Sequence, residues 1–224
     1  MKVCKLLLFI ILLFISSCVK IRRNDGEKEI KVFYDTLCPD AITFVKNSYK
    51  SFFSIKELNR KLKFLLVPGA LMNFETNEQN ETYFSCFSGD NECLGNIFHA
   101  CAIYLLDIDI ANNYIICYMD NILRFKKNNF NTTSFCSKNL GFSEDIIKKC
   151  VNSSSGIDYM KLLLKRKTVL DRIISHSPWI VVNNKYEKEV ENNILDNATA
   201  FVCKFTKDDS VSICRSYAEF LSYK

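Results

Sequence analysis

One thiol stands where the chain changes from strand-like to helical sequence. In Phe33-Tyr34-Asp35-Thr36-Leu37-Cys38-Pro39-Asp40-Ala41, the apolar run Ile30 to Tyr34 gives way to Ala41, Phe44, Val45, Ser48 and Phe52. The first group is β-branched and aromatic, and the second recurs at helical spacing. Pro39 fits the first helical position, where a missing N–H costs nothing, and Cys38 then becomes the N-cap residue. Unpaired backbone N–H groups and the positive end of the helix dipole favour the thiolate there, the form that attacks disulfides. One helical turn on stands Ala41, so no Cys-x-x-Cys partner can resolve a mixed disulfide within the motif. Taken alone, a single Cys after a strand reads as a buried or disulfide-bonded residue.

The other cysteines shift that balance. Of eleven, Cys4 and Cys18 fall in or at the edge of an N-terminal leader, which leaves Cys38, Cys86, Cys93, Cys101, Cys117, Cys136, Cys150, Cys203 and Cys214. In an oxidising compartment eight of these nine can pair and one is left over. Cys38 stands apart from the rest and is the natural odd thiol. The number of connectivities is too large to assign a framework, although Cys203 and Cys214, close in sequence and last in the chain, suggest one pair.

The elements that must position Cys38 follow from pattern. Leu62 to Val67, ended by Pro68-Gly69, reads as a second strand, so strand, helix and strand form a βαβ unit with parallel strands and a right-handed crossover. Met72 to Tyr83 is polar and reads as loop. Gly95 to Leu170 is mainly helical, with loops expected at Asn128 to Ser134 and Asn152 to Gly156. Ser177-Pro178 leads into Trp179-Ile180-Val181-Val182, the best remaining strand. Asn183-Asn184 makes a hairpin turn, and Lys185-Tyr186 would begin the returning strand. Glu189 to Cys203 closes the chain as a helix with Val190, Ile194, Ala198 and Phe201 on one face.

The first eighteen residues read as a signal peptide: Lys2 and Lys5, an apolar run from Leu6 to Ile15, then Ser16-Ser17-Cys18. The run is too short for a bilayer span, which takes about 20 residues, so no integral membrane segment is expected after its removal. Residues 19–29 form a charged lead-in, and 30–224 the folded domain. Asn80, Asn131, Asn152 and Asn197 each begin a glycosylation sequon and, with the leader, favour a eukaryotic secretory route over a lipoprotein site at Cys18. Without Lys2 and Lys5 the net charge falls from +5 to +3, too weak to argue for nucleic acid.

A second cysteine motif carries a family resemblance. In Cys86-Phe87-Ser88-Gly89-Asp90-Asn91-Glu92-Cys93-Leu94-Gly95-Asn96-Ile97-Phe98-His99-Ala100-Cys101, the residues Cys86, Gly89, Glu92, Cys93, Asn96 and Cys101 match the signature C-Q-H-G-x-x-E-C-x-x-N-x-x-x-x-C. The sequence resembles the gamma-interferon-inducible lysosomal thiol reductase (GILT) family, with Phe87 and Ser88 in place of the usual Gln and His. The likeness extends through Tyr34, Leu37 to Asp40, Leu66 to Pro68, Cys150, Ser153, Gly156, Thr168, Leu170, Pro178 to Ile180, Cys203 and Cys214.

The resemblance implies an α/β, thioredoxin-like fold with an inserted, disulfide-rich helical subdomain at about 86–165. It implies disulfide reduction in an acidic endolysosomal lumen or after secretion, with no cofactor. The family's attacking cysteine maps to Cys38 and its resolving cysteine to Ala41, so that second role is absent. Cys86, Cys93, Cys101, Cys117, Cys136, Cys150, Cys203 and Cys214 are then structural disulfides rather than zinc ligands, since the spacing of the first three is not that of a common zinc site. His99 and His176 read as packing or surface residues. Such a fold also predicts a cis Ser177–Pro178 bond packed against Cys38, with Pro39, Ser177 and Pro178 lining a groove where an incoming chain pairs as an added strand.

Two functional classes remain. In one, Cys38 alone attacks protein disulfides and an external small thiol resolves the product. In the other, the chain is a catalytically silent secreted interaction module. Leu37 to Asp40 and Pro178 favour the first, and Ala41 with Phe87-Ser88 favours the second.

Overall fold

The computed structural model describes residues 28–170, 172–207 and 210–216. The signal-peptide expectation for 1–18, and all of the lead-in before residue 28, lie outside the described residues.

Strand β1 (Glu29–Tyr34) is the centre of a three-stranded sheet. On one side it pairs in parallel with β2 (Lys63–Pro68), from Glu29 opposite Lys63 to Tyr34 opposite Pro68. Between them runs a continuous helical rod: α1 (Pro39–Phe44), a π turn (Val45–Tyr49) and a last α turn (Lys50–Phe53).

The period-2 alternation of β1 sorts its side chains onto two faces. Ile30, Val32 and Tyr34 pack into a core with Ala41, Phe44, Val45 and Phe52 of the rod. Phe33, pointing the other way, packs with Val67, Ala100, Met160, Leu163 and Trp179. Burial on both faces makes the second half of the strand, Val32-Phe33-Tyr34, a continuous apolar run, while the charged Glu29 and Lys31 of its first half are only half-buried.

Two elements differ from the polar loop read for Met72 to Tyr83. Strands β3 (Asn73–Thr76) and β4 (Thr82–Ser85) form a separate antiparallel hairpin, held by cross-strand contact of Phe74 with Phe84. The ribbon lies on the surface, and its exposed residues are Asn73, Glu75, Thr76 and Ser85 with the aromatic Tyr83.

Five α-helices follow: α2 (Asp90–Leu105), α3 (Ile108–Asn121), α4 (Asn129–Leu140), α5 (Asp145–Val151) and α6 (Ser154–Leu164). Helix α4 replaces the loop expected at Asn128 to Ser134. The Asn128 side chain accepts from the Asn131 N–H at its start, and Gly141 in the left-handed region closes its end. The second expected loop shrinks to the turn before Ser154, where α6 begins.

Strand β5 (Trp179–Val182) pairs antiparallel with β1 on its other side. Asn183 and Asn184 make the turn with positive φ, but the returning strand read at Lys185-Tyr186 is a single bridge from Val182 to Lys185. Tyr186 stacks on Trp179 instead, at 3.8 Å between ring centroids, and its hydroxyl donates to Glu191.

Helix α7 (Lys188–Thr206) closes the fold, bent at Asn197. Ser48, in the π turn, sits at that bend: its hydroxyl donates to the Ile194 carbonyl at 2.8 Å and accepts from the Ala198 N–H at 2.7 Å. The order β2-β1-β5, with the first pair parallel, the second antiparallel and a helix closing the chain, is the thioredoxin-like core. Pro39, Pro68 and Pro178 all lie at the end of the sheet where β1 runs out.

Candidate active site

Cys38 is the N-cap of α1, with extended backbone and Pro39 directly behind it. Its N–H donates to the Asp35 carbonyl at 3.2 Å, and its carbonyl accepts from Ile42 at 2.9 Å, so the residue is fixed between a turn and a helix. The thiol is half-buried, while Pro39 and Asp40 are exposed. Sγ donates to the Ser177 carbonyl oxygen at 3.0 Å. The Ser177–Pro178 bond is cis. The Ser177 hydroxyl accepts from the Asp35 N–H at 2.8 Å, so the segment before β5 is tied to the Cys38 turn at two points.

Beneath this turn lies a buried polar knot. Asp35, 1% exposed, accepts at Oδ2 from the Leu71 N–H at 3.0 Å and at Oδ1 from Asn96 Nδ2 at 3.1 Å. Asn96 uses its own Oδ1 to accept from the Thr36 N–H at 3.1 Å. The Thr36 hydroxyl donates to the Glu92 carbonyl.

Helix α2 approaches so closely because Gly95 lacks a side chain; a Cβ there would run into Thr36 Oγ1. At Gly69, φ is +87° and the N–H donates to the Tyr34 carbonyl at 2.7 Å, which swings the chain back so that Leu71 reaches Asp35. Burial pushes the Asp35 carboxyl up from the usual carboxylate range, a rise opposed by the Leu71 and Asn96 donors. Burial likewise pushes the Lys167 ammonium down to about 8, against the attraction of Asp35. Lys167 Nζ donates to the Met72 carbonyl at 2.7 Å.

Four disulfides join Cys86 to Cys93, Cys101 to Cys150, Cys117 to Cys136 and Cys203 to Cys214. Cys38 is the free cysteine among the described residues. Among those residues no cluster of His, Cys, Asp and Glu is arranged to hold a metal ion.

His99 lies in the core, its Nδ1 bonded to the Tyr34 hydroxyl at 2.7 Å, and burial pushes it down to about 3. His176 pairs through Nε2 with Glu191 at 2.9 Å and packs on Trp179, so its imidazole is held by the closing helix. The sequon residues Asn80, Asn131 and Asn152 are exposed, whereas Asn197 is half-buried at the bend of α7.

The structure brings Cys38, Ser177 and Pro178 together. It also adds Asp35, Thr36, Leu71 and Lys167, to which sequence reading gave no role. Asn96 stood in the cysteine motif without one. An acidic residue at the end of a buried strand was the available signal for Asp35, but its partners come from loops and helices distant in sequence.

The fold and site define the class: a thioredoxin-like domain with a single cysteine at the N-terminus of its first helix. A family model described as "Gamma interferon inducible lysosomal thiol reductase (GILT)" matches residues 29–140, and the chain belongs to that family. It is similar to "GILT-like protein 1" of Drosophila melanogaster, 24% identical over 92% of this chain and 85% of that protein. It is also similar to a "Gamma-interferon-inducible lysosomal thiol reductase-like protein" of Anopheles gambiae, 26% identical over 88% of this chain and 85% of that one. Among solved structures, "a putative protein disulfide isomerase from Nitrosomonas europaea" aligns with TM-score 0.49 and 10% identity over 76% of this chain and 97% of that one.

Proposed function

We propose that this protein is a monothiol disulfide oxidoreductase acting on protein disulfides, with Cys38 as the attacking group and a small external thiol as resolver. In the first step the Cys38 thiolate attacks one sulfur of a substrate disulfide. A Cys38–substrate disulfide forms, and the second substrate sulfur leaves as a thiolate that takes up a proton. In the second step a small thiolate displaces Cys38 from the mixed disulfide. With two equivalents of external thiol the substrate is fully reduced and the external thiols leave as their own disulfide; a substrate thiol acting as resolver gives isomerisation.

The observation that carries this reading is the Cys38 Sγ, half-buried and 3.0 Å from the carbonyl of the residue before Pro178. A backbone carbonyl beside the attacking sulfur lies where an added strand would pair. The family's name supports the chemistry and, by the word lysosomal in it, an endolysosomal lumen as the place, with secretion as the alternative that the leader read at residues 1–18 allows. No described helix is long and apolar enough to cross a membrane. Glycans on Asn80, Asn131, Asn152 and Asn197, removal of residues 1–18, and structural roles for the eight paired cysteines belong to the same proposal.

A second reading, a silent interaction module, is favoured by Ala41 and by Phe87, which is 86% exposed where the family signature has Gln. The deciding experiment is insulin reduction at about pH 4.5 and about pH 7 with excess free cysteine, comparing wild type with Cys38→Ser. Activity abolished by Cys38→Ser supports the oxidoreductase; equal rates in both proteins support the module.

A further inference from the structure

The polar knot under Cys38 has a directional hydrogen-bond pattern that exceeds what burying one carboxylate requires. Asp35 is acceptor-only and receives two N–H groups, from Leu71 and Asn96. Asn96 is the one member that both gives and receives: Nδ2 to Asp35, Oδ1 from Thr36. Asp35 and Asn96 are 1% and 0% exposed, so an unmatched donor or acceptor there has no water to turn to.

The two backbone groups at the ends of this chain, the Thr36 and Leu71 N–H groups, and the Asp35 main chain between them all bear on the pose of the thiol. Thr36 is in the turn that carries Cys38, and Leu71 is in the loop after β2. The Asp35 main chain supplies the N–H held by Ser177 and the carbonyl that receives the Cys38 N–H.

We propose that Asp35 and Asn96 are positioning residues for thiol exchange, a matched acceptor and donor that lock helix α2 and the β2 loop to the Cys38 turn. Neither side chain touches the sulfur; each acts through the backbone that carries Cys38 and Ser177. The proposal rests on Cys38 being the reacting sulfur of the oxidoreductase reading. The helical insertion thereby has a part in the site: α2 supplies Asn96 while Cys101, on the same helix, is anchored to α5 by its disulfide with Cys150.

The pattern makes a swap test possible. In Asp35→Asn, only one of the two side-chain positions keeps an oxygen, so an amide N–H would face either Asn96 Nδ2 or the Leu71 N–H, donor to donor. In Asn96→Asp, two carboxylates would meet in a buried space. In the double variant the three bonds of the chain close again, at the loss of the weak contact from Asn96 Nδ2 to Met72 Sδ at 3.8 Å: the new amide at 35 accepts from Leu71 and donates to the new carboxylate at 96, which accepts from Thr36.

The readout is the rate at which iodoacetamide alkylates Cys38 in the folded full chain, followed on the Cys38 peptide by mass spectrometry, with thermal unfolding recorded in parallel. Alkylation needs neither a substrate disulfide nor a resolver, so it reads the pose of Cys38 even if the protein proves inert towards insulin. Each single variant is expected to change the rate by about threefold or more, and the double to return within about twofold of wild type, since contacting residues couple strongly. If a single variant does not fold, folding of the double is the same rescue. The proposal is overturned if the double is no closer to wild type than the sum of the singles, if it fails to fold, or if the singles lower the melting temperature while leaving Cys38 alkylation unchanged.

Discussion

The thiol of Cys38 and the carbonyl of Ser177, 139 residues apart in the chain, are joined by a hydrogen bond of 3.0 Å. That contact closes the end of the sheet where β1 stops and β5 begins. Cys38 is half-buried there, and the two residues that follow it, Pro39 and Asp40, are exposed. On the oxidoreductase proposal, an extended substrate chain would reach this sulfur by taking over the Ser177 carbonyl as its pairing partner.

Alkylation of the non-reduced, folded protein is expected to label Cys38 among the described cysteines, because the other eight are paired. Peptide mass mapping checks it. Label on Cys86 and Cys93, or on Cys101, would contradict the disulfide assignment.

Placing a second sulfur one turn along α1 is expected to relieve the dependence on external thiol. Ala41 is fully buried beside the rod's core, so Ala41→Cys should cost about 1–3 kcal/mol of stability from overpacking. On oxidation the folded variant should form a disulfide between Cys38 and the introduced thiol. Once reduced, it should reduce insulin with less free cysteine than wild type needs. A folded variant that still requires the same excess would show that more than one atom separates this site from a dithiol reductase.

His99 makes stability fall with acidity. Burial holds it at about 3 in the folded protein, whereas an unfolded histidine titrates near about 6.5. Between these values the unfolded chain binds a proton that the folded chain does not. The contribution of neutral His99 is therefore complete above about pH 6.5 and is lost at roughly 1.4 kcal/mol per pH unit as pH falls towards 3. Asp35, whose carboxyl is raised in the folded state, acts with the opposite sign: its penalty is relieved as pH falls. His99→Phe should cost about 1–3 kcal/mol near neutral pH by orphaning the Tyr34 hydroxyl, and should flatten the decline on acidification. Urea midpoints across that range decide; parallel declines in the two proteins would exclude His99 as the cause.

The Cys101–Cys150 disulfide closes a loop with a separation of 49, against 7 for Cys86–Cys93. By loop-closure entropy the first should contribute about 4 kcal/mol and the second about 2.5 kcal/mol. Denaturant unfolding of the two paired Cys→Ala variants checks the order. A larger loss from the Cys86–Cys93 pair would mean that its removal disturbs packing on the second face of the sheet.

Much of the fold was legible because it is written in short-range pattern. The apolar run of β1, the helical spacing behind Pro39, and the Ser177-Pro178-Trp179 entry to β5 are local signals that tertiary structure then uses without change. Helix α4 was hidden because Asn, Thr and Ser are weak helix formers. It is stabilised by the Asn128 cap, by Gly141 and by the disulfide from Cys117 to Cys136, none of which is a periodicity. The β3–β4 hairpin was hidden because it buries little, and Lys185-Tyr186 failed as a strand because Tyr186 gains more from stacking on Trp179. The knot of Asp35, Asn96, Thr36 and Leu71 was illegible for a different reason: hydrogen-bond matching between three segments distant in sequence is a property of the folded chain alone.

The most direct test of Cys38 as a turning-over nucleophile is intact-protein mass spectrometry after acid quench, with a disulfide-bonded peptide that carries no free thiol as substrate. Wild type should acquire one peptide strand in disulfide linkage at Cys38, Cys38→Ser should acquire none, and added free cysteine should discharge the adduct while reduced peptide accumulates beyond one equivalent of protein. No adduct on wild type, or an adduct that free cysteine cannot discharge, would contradict the oxidoreductase reading.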